Sequence, residues 1–90
     1  MASLPKSQDL IKPILKVLKD GQVISNATMR DEVARVLMLD SDSLSLIHSG
    51  SRTEFEYRLA WARTNCKARG LIISPKRMHW QITEDGKSRI

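Results

Sequence analysis

Residues 53–82 read TEFEYRLAWARTNCKARGLIISPKRMHWQI, and the period of the hydrophobic residues changes within this stretch. Up to Arg69 the apolar residues recur at steps of three and four, the period of an amphipathic helix. They are Phe55, Leu59, Ala62 and Cys66. Thr53 is a suitable N-cap and Gly70 a suitable C-terminal stop. The stretch therefore predicts a helix, the longest of the chain, ending at about Arg69.

After Gly70 the pattern alternates, as it does in strands. Leu71 and Ile73 are predicted to point to one side of a first strand, and Trp80 and Ile82 to one side of a second. The turn between them consists of Pro75, Lys76, Arg77 and Met78. The prediction is a β-hairpin with a basic tip.

Upstream of this stretch, a first helix is predicted over about residues 7–19. Its apolar residues, at a spacing of four, are Leu10, Ile14 and Leu18. Pro13 lies inside this span and lacks a backbone donor, so it must either kink the helix or lie in its first turn. Residues 22–25 are predicted to form a short extended piece.

A second helix is predicted to begin with a cap at Asn26 or Thr28. Its apolar stripe is Met29, Val33, Val36 and Leu37. Residues 40–51 are rich in serine and are predicted to be a loop. Within it, one helical turn packing on the core is expected from Leu44, Leu46 and Ile47.

The predicted order of elements is helix, short strand, helix, helix, strand, strand. A three-helix cluster followed by a two-stranded hairpin is the arrangement of a winged helix. The expected fold class is therefore α+β, a winged helix-turn-helix with the C-terminal hairpin as its wing. Since 90 residues suffice for one small domain, we expect a single domain over residues 1–90, with flexible ends at 1–3 and 87–90.

Charge is distributed unevenly along the chain. The net charge is +5, and residues 51–90 hold nine basic and four acidic side chains, whereas residues 1–50 are balanced. Such an asymmetry favours a polyanionic partner, with nucleic acid first. No apolar run is long enough to span a membrane or to form a signal peptide, and the single cysteine, Cys66, fits a reducing compartment. We therefore expect a cytoplasmic protein with no membrane partner.

The sequence contains no recognisable catalytic or metal-binding constellation. His48, His79 and Cys66 do not have the spacing of metal ligands, and Cys66 is predicted to be a buried thiol. Glu54 and Glu56 would point to different sides of a helix, so they do not form an acid–base pair. We expect a protein that is not an enzyme and that has no cofactor.

The face of the long predicted helix opposite its apolar stripe carries small and polar side chains. They are Thr53, Glu56, Tyr57, Ala60, Thr64 and Lys67. Such a face is typical of a helix that enters the major groove of DNA. Arg52, before the helix, could reach a phosphate or a guanine, and Lys76 and Arg77 could contact the DNA backbone. The alternative is a solvated surface and a hairpin edge protected by charge.

Four further side chains, two tryptophans and two arginines, are predicted to stabilise the fold rather than to contact DNA. Trp61 and Trp80 are assigned to packing, with Trp61 leaning on the first helix or the hairpin; base stacking by an exposed ring is the alternative. Arg58 and Arg63 flank the apolar stripe and are expected to pair with acidic groups.

Short motifs occur in order through nearly the whole chain. They are Leu4-Pro5, Ile11-Lys12-Pro13-Ile14-Leu15, Ser49-Gly50, Phe55 with Arg58-Leu59-Ala60-Trp61-Ala62, Ala68-Arg69-Gly70-Leu71-Ile72, Ser74-Pro75-Lys76-Arg77, and Trp80-Gln81-Ile82-Thr83 with Gly86. In this order they resemble the N-terminal winged-helix domain of Mrr-like, modification-dependent (type IV) restriction proteins.

The resemblance implies a module that reads double-stranded DNA, methylated in the typical case, and is usually joined to a nuclease domain. We therefore expect DNA as the partner and a nuclease domain in cis or in trans, because the 90 residues lack the nuclease core. Two alternatives stay open. A small transcription regulator would prefer a fixed operator and form a homodimer, and a protein-interaction winged helix would not bind DNA.

Overall fold

The structure is a computed structural model that describes residues 4–90. Its helices are α1 (Ile11–Leu18, preceded by a 3₁₀ turn at Ser7–Leu10), α2 (Asn26–Val36), α3 (Ser41–Leu44), α4 (Glu54–Ala68) and α5 (Glu84–Lys87). Its strands are β1 (Ile24–Ser25), β2 (Ile47–Ser49), β3 (Arg52–Thr53), β4 (Ile72–Ile73) and β5 (His79–Ile82). They form two antiparallel sheets, one with the order β1-β5-β4 and one pairing β2 with β3. The expected α+β class is thereby confirmed. The predicted flexible end at residues 1–3 lies outside the described residues.

The core is formed by one face each of α1, α2 and α4, closed by the C-terminal strands. All four residues of the predicted stripe of α4 are buried, which confirms the helical period of that stretch. The stripe of α2 is shorter than predicted: Met29 and Val33 are buried, whereas Val36 and Leu37 are half-buried near the end of the helix.

Pro13 lies in the first turn of α1, the second of the two predicted outcomes. The chain forms a 3₁₀ turn first, and α1 begins only at Ile11. A backbone amide in a first helical turn has no intrahelical acceptor, so proline removes no helical hydrogen bond there.

The predicted caps of α2 are wrong. Ser25 is the N-cap, and its Oγ accepts a hydrogen bond of 3.2 Å from the Thr28 amide. Asn26 has a different partner, since its Oδ1 accepts from Nε1 of Trp80 at 2.6 Å. This bond connects the start of α2 to β5, beside the pairing of Ile24 with Trp80. The short extended piece thus becomes a third strand of the C-terminal sheet.

The predicted orientation of the first strand of the C-terminal hairpin is wrong for Ile73. Ile72 pairs with Ile82, and both are buried, whereas the side chain of Ile73 is 47% exposed. Leu71 is buried but precedes the strand, because its amide donates to the carbonyl of Cys66 at the end of α4. The alternation therefore starts one residue later than the sequence pattern indicated.

Residues 40–51, predicted to be a loop with one helical turn, contain the short helix α3 and the strand β2. Asp40 caps α3 by accepting from the Ser43 amide at 2.7 Å, and this hydrogen bond lowers the pKa of its carboxyl. Only Leu44 of the three predicted residues packs on the core; Leu46 and Ile47 are exposed, Ile47 by 60%. Ile47 belongs instead to β2, which turns at Gly50 and pairs with β3 just before α4.

Candidate nucleic-acid interface

The outward face of α4 carries a shallow groove of about 360 Å³. It is lined by Arg52, Tyr57, Ala60, Trp61 and Thr64, and we call it the helix-face groove. Four of these residues belong to the predicted DNA-binding set. The four residues of α4 lie together because residues three and four positions apart share a helical face. Arg52 joins them because β3 directly precedes α4 and places it at the N-terminal end of that helix.

The packing role predicted for Trp61 is wrong. Its side chain is 52% exposed and lies in the helix-face groove between Tyr57 and Thr64. The spacing of four and three residues from these two neighbours explains its position. Trp80, in contrast, is half-buried against the core as predicted.

Tyr57 is held in place by the β2–β3 hairpin. The ring of His48 stacks on it with centroids 3.6 Å apart and planes 11° apart, and the guanidinium carbon of Arg52 lies 5.5 Å from its centroid. Nδ1 of His48 is in turn 3.2 Å from Oε1 of Glu54. Both π contacts fix the orientation of the ring. Sequence reasoning missed His48 because this stack depends on the hairpin.

Thr53 and Glu56, also in the predicted set, bind each other at the start of α4, where Thr53 is the N-cap. Oγ1 of Thr53 accepts from the Glu56 amide at 3.2 Å and donates to Oε1 of Glu56, also at 3.2 Å. The Thr53 hydroxyl thus satisfies one free amide of the first turn of α4 and orients the Glu56 carboxylate. They lie beside the helix-face groove rather than in it.

The remaining predicted cations lie away from the groove. Lys67 is exposed near the C-terminal end of α4, and Lys76 and Arg77 are exposed in the turn between β4 and β5. That turn is ordered by hydrogen bonds to the Lys76 carbonyl from the hydroxyl of Ser74 (2.9 Å) and the amide of His79 (3.1 Å). Within residues 4–90 none of the three cations has an ion-pair partner.

Arg58 and Arg63, which flank the buried stripe, differ in whether they form the expected ion pair. Arg58 lies 3.5 Å from a carboxylate oxygen of Glu54, as expected, and donates to the carbonyl of Leu4 at 2.9 Å. Arg63 lacks the expected ion pair among the described residues, and its guanidinium carbon lies 5.8 Å from the ring centroid of Trp80. Burial, with the charge of Arg52, lowers the pKa of Arg63.

Cys66 is buried, as predicted, and burial raises the pKa of its thiol to about 11. It is therefore protonated at neutral pH and a poor nucleophile. Among residues 4–90 no group of three or more histidine, cysteine, aspartate or glutamate side chains could hold a metal ion. No helix in this part of the chain is long and apolar enough to cross a membrane.

The fold and this surface define a small α+β domain that exposes a cationic and aromatic helix face and, on the C-terminal hairpin, a basic tip. The chain belongs to the family described as the Mrr N-terminal domain, whose model matches residues 8–90. The resemblance seen in the sequence motifs is thereby confirmed. The match is to the N-terminal domain alone, with no catalytic domain evident. No curated protein matches the chain, and no solved structure matches it.

Proposed function

We propose that residues 1–90 form a single winged-helix domain that binds double-stranded DNA, as the recognition module of an Mrr-like restriction system. The observation that carries this proposal is the helix-face groove, which collects an arginine, two aromatic rings and two small residues on the solvent side of α4. Membership in the Mrr N-terminal domain family supports the restriction context.

In the proposed complex α4 enters the major groove, whose width of ~12 Å admits one helix. Ala60 allows close approach to the base edges, and Arg52 donates to a guanine or a phosphate. Lys67, at the other end of α4, contacts the backbone. The turn with Lys76 and Arg77 is the wing and follows the flanking phosphates.

The aromatic part of the groove suits DNA that carries an extra methyl group. A methyl group on a base in the major groove is recognised by apolar contact, as the thymine methyl is. Tyr57, fixed by its stack on His48, and the exposed ring of Trp61 provide that surface next to Ala60. Recognition of a methylated base is therefore proposed to occur within the duplex.

Fluorescence anisotropy of the purified domain tests this function. The probes are short duplexes, unmodified, cytosine-methylated and adenine-methylated, at about 50 and 200 mM salt, where phosphate contacts weaken steeply. If about four phosphates are neutralised, log K falls with log salt at a slope of about −3.6. A preference of about tenfold for a methylated duplex, or about 1.4 kcal/mol, supports the restriction-type reader. Absence of binding at the lower salt refutes DNA binding and leaves a protein partner.

One observation favours a second candidate, a dimeric transcription regulator. Leu46 and Ile47 are exposed on one edge of the domain, where a second copy could cover them. Light scattering together with selection of bound sequences distinguishes the two functions. A dimer that selects one palindromic sequence supports the regulator, and a monomer that prefers methylated duplexes of many sequences contradicts it.

A further inference from the structure

A second cleft lies next to the helix-face groove and is a separate cavity of about 320 Å³. The first turn of α2, one flank of α4 and Met78, in the turn of the C-terminal hairpin, surround it. Three arginines line it, one from each of α2, β3 and α4: Arg30, Arg52 and Arg63. Arg52 lines both cavities, so the cleft adjoins the surface proposed to face DNA.

Arg63 is the least satisfied of these arginines. Its Nε is buried and has no hydrogen-bond partner within the described residues. A buried donor without an acceptor is unfavourable, and more so when the group is charged. Burial lowers the pKa of Arg63 and the charge of Arg52 lowers it further, whereas the carboxylate of Glu56 opposes this shift only in part.

The local acidic groups do not neutralise the cleft. Glu56 is the one carboxylate lining it, and this side chain accepts from the hydroxyl of Thr53. Arg30 uses its Nε for the pair with Asp31 at 3.2 Å. Three guanidinium groups therefore stand against two carboxylates, Glu56 in the cleft and Asp31 beside Arg30, which leaves one positive charge in excess. One of the three, Arg63, also has a buried nitrogen with no acceptor among the described residues.

A phosphate group has the chemistry that this arrangement lacks. Its oxygens accept several hydrogen bonds at once, and arginine binds them in a planar, bidentate geometry. Asn26 and Ala27, in the first turn of α2, bring the positive end of a helix dipole to the same cavity. An anion in the cleft would give the guanidinium of Arg63 an acceptor and relieve the repulsion between Arg52 and Arg63.

We propose that this cleft binds one phosphate of the DNA backbone, with the guanidinium of Arg63 as a donor and Arg30 and Arg52 on either side. The assignment rests on the proposed DNA binding, and it adds Arg30 and Arg63 to the interface. The bound phosphate would fix α4 relative to one strand, so the residues of the helix-face groove would meet the bases at a constant position.

The first experiment uses inorganic phosphate without DNA. Arginine Nε–H resonances of the ¹⁵N-labelled domain are followed during titration with phosphate at constant ionic strength. We expect a saturable shift of the Arg63 resonance and none for Arg35, which lines a different cleft, between α1 and α2. A linear, unsaturable drift of both resonances would overturn the site.

The second experiment compares the Arg63→Gln variant with the Arg35→Gln variant on the same duplexes, since both lose one positive charge. We expect Arg63→Gln to lower affinity about tenfold on every duplex and to reduce the salt slope by about 0.9, the change for one phosphate contact. Equal effects of the two variants would overturn the cleft while leaving DNA binding intact. If the Arg63→Gln variant does not fold by circular dichroism, Arg30→Gln is compared instead.

The two proposals fail in different ways. If the unmodified domain binds no duplex but Arg63 still shifts with inorganic phosphate, DNA binding and the backbone assignment are both refuted, and the cleft is a site for a free anion. If the domain binds duplex DNA and the Arg63 resonance does not shift with inorganic phosphate, only the proposed phosphate site is refuted.

Discussion

The two long faces of α4 differ both in polarity and in what they contact. The inner face buries Phe55 and the other three residues of the core stripe. The outer face carries two aromatic rings as well, yet Trp61 is half-exposed and Tyr57 packs on a small hairpin rather than on the core. The fold explains the inner ring of Phe55 completely and the two outer rings only in part. The outer face is therefore the part of α4 to which a binding partner is assigned.

The largest expected effect is on the inner face. Phe55→Ala removes a ring that is 1% exposed and should lower the free energy of unfolding by about 3–5 kcal/mol, through lost burial and the cavity left behind. A domain of this size has roughly 5–13 kcal/mol in total, so the substitution should remove a large part of its stability. Urea denaturation followed by circular dichroism measures it. A loss below about 1 kcal/mol would contradict the assignment of this face as the core.

On the outer face, Trp61→Ala should change the free energy of unfolding by less than about 0.5 kcal/mol, as surface substitutions usually do. Affinity for duplex DNA should fall about tenfold or more, because the exposed ring is placed against the bases. Anisotropy measures the affinity, and Val23→Ala, at an exposed position lining the α1–α2 cleft, is the control. Equal affinity of both variants would remove Trp61 from the interface.

Thr53 contributes to the fold, because it caps α4, and it lies beside the helix-face groove, where it is proposed to contact DNA. Thr53→Ala should cost about 1 kcal/mol of stability through the lost cap, and it should also alter the preference among duplex sequences. Thr53→Ser retains a hydroxyl and should restore the stability. If Thr53→Ala lowers the stability but keeps the sequence preference of the unmodified domain, Thr53 serves the cap alone and does not contact the bases.

The smallest expected effect is at the wing. Arg77→Ala should weaken binding about three- to fivefold on all duplexes alike and reduce the salt slope by about 0.9, as expected for one lost phosphate contact. Arg35→Ala, which removes the same charge from α2, is the control. A change of preference among duplexes after Arg77→Ala would assign the hairpin tip to base recognition instead of the backbone.

The candidate site could be predicted only in part. Tyr57, Ala60 and Thr64 were predicted from helical spacing, and the structure brings them together with Arg52. Trp61 shares that face by the same spacing, yet its large apolar side chain favoured packing. Hydrophobicity alone does not distinguish a buried ring from one exposed on a binding face.

The sequence alone determined the position of α4, its buried stripe and its two ends, because helical period and capping depend on residues within four positions of one another. The tertiary structure alone decided the stack of His48 on Tyr57, the pairing of Ile24 with Trp80 and the convergence of three arginines on one cleft. These contacts join separate elements of the chain. Their geometry depends on how the helices and sheets pack, and no local pattern encodes it.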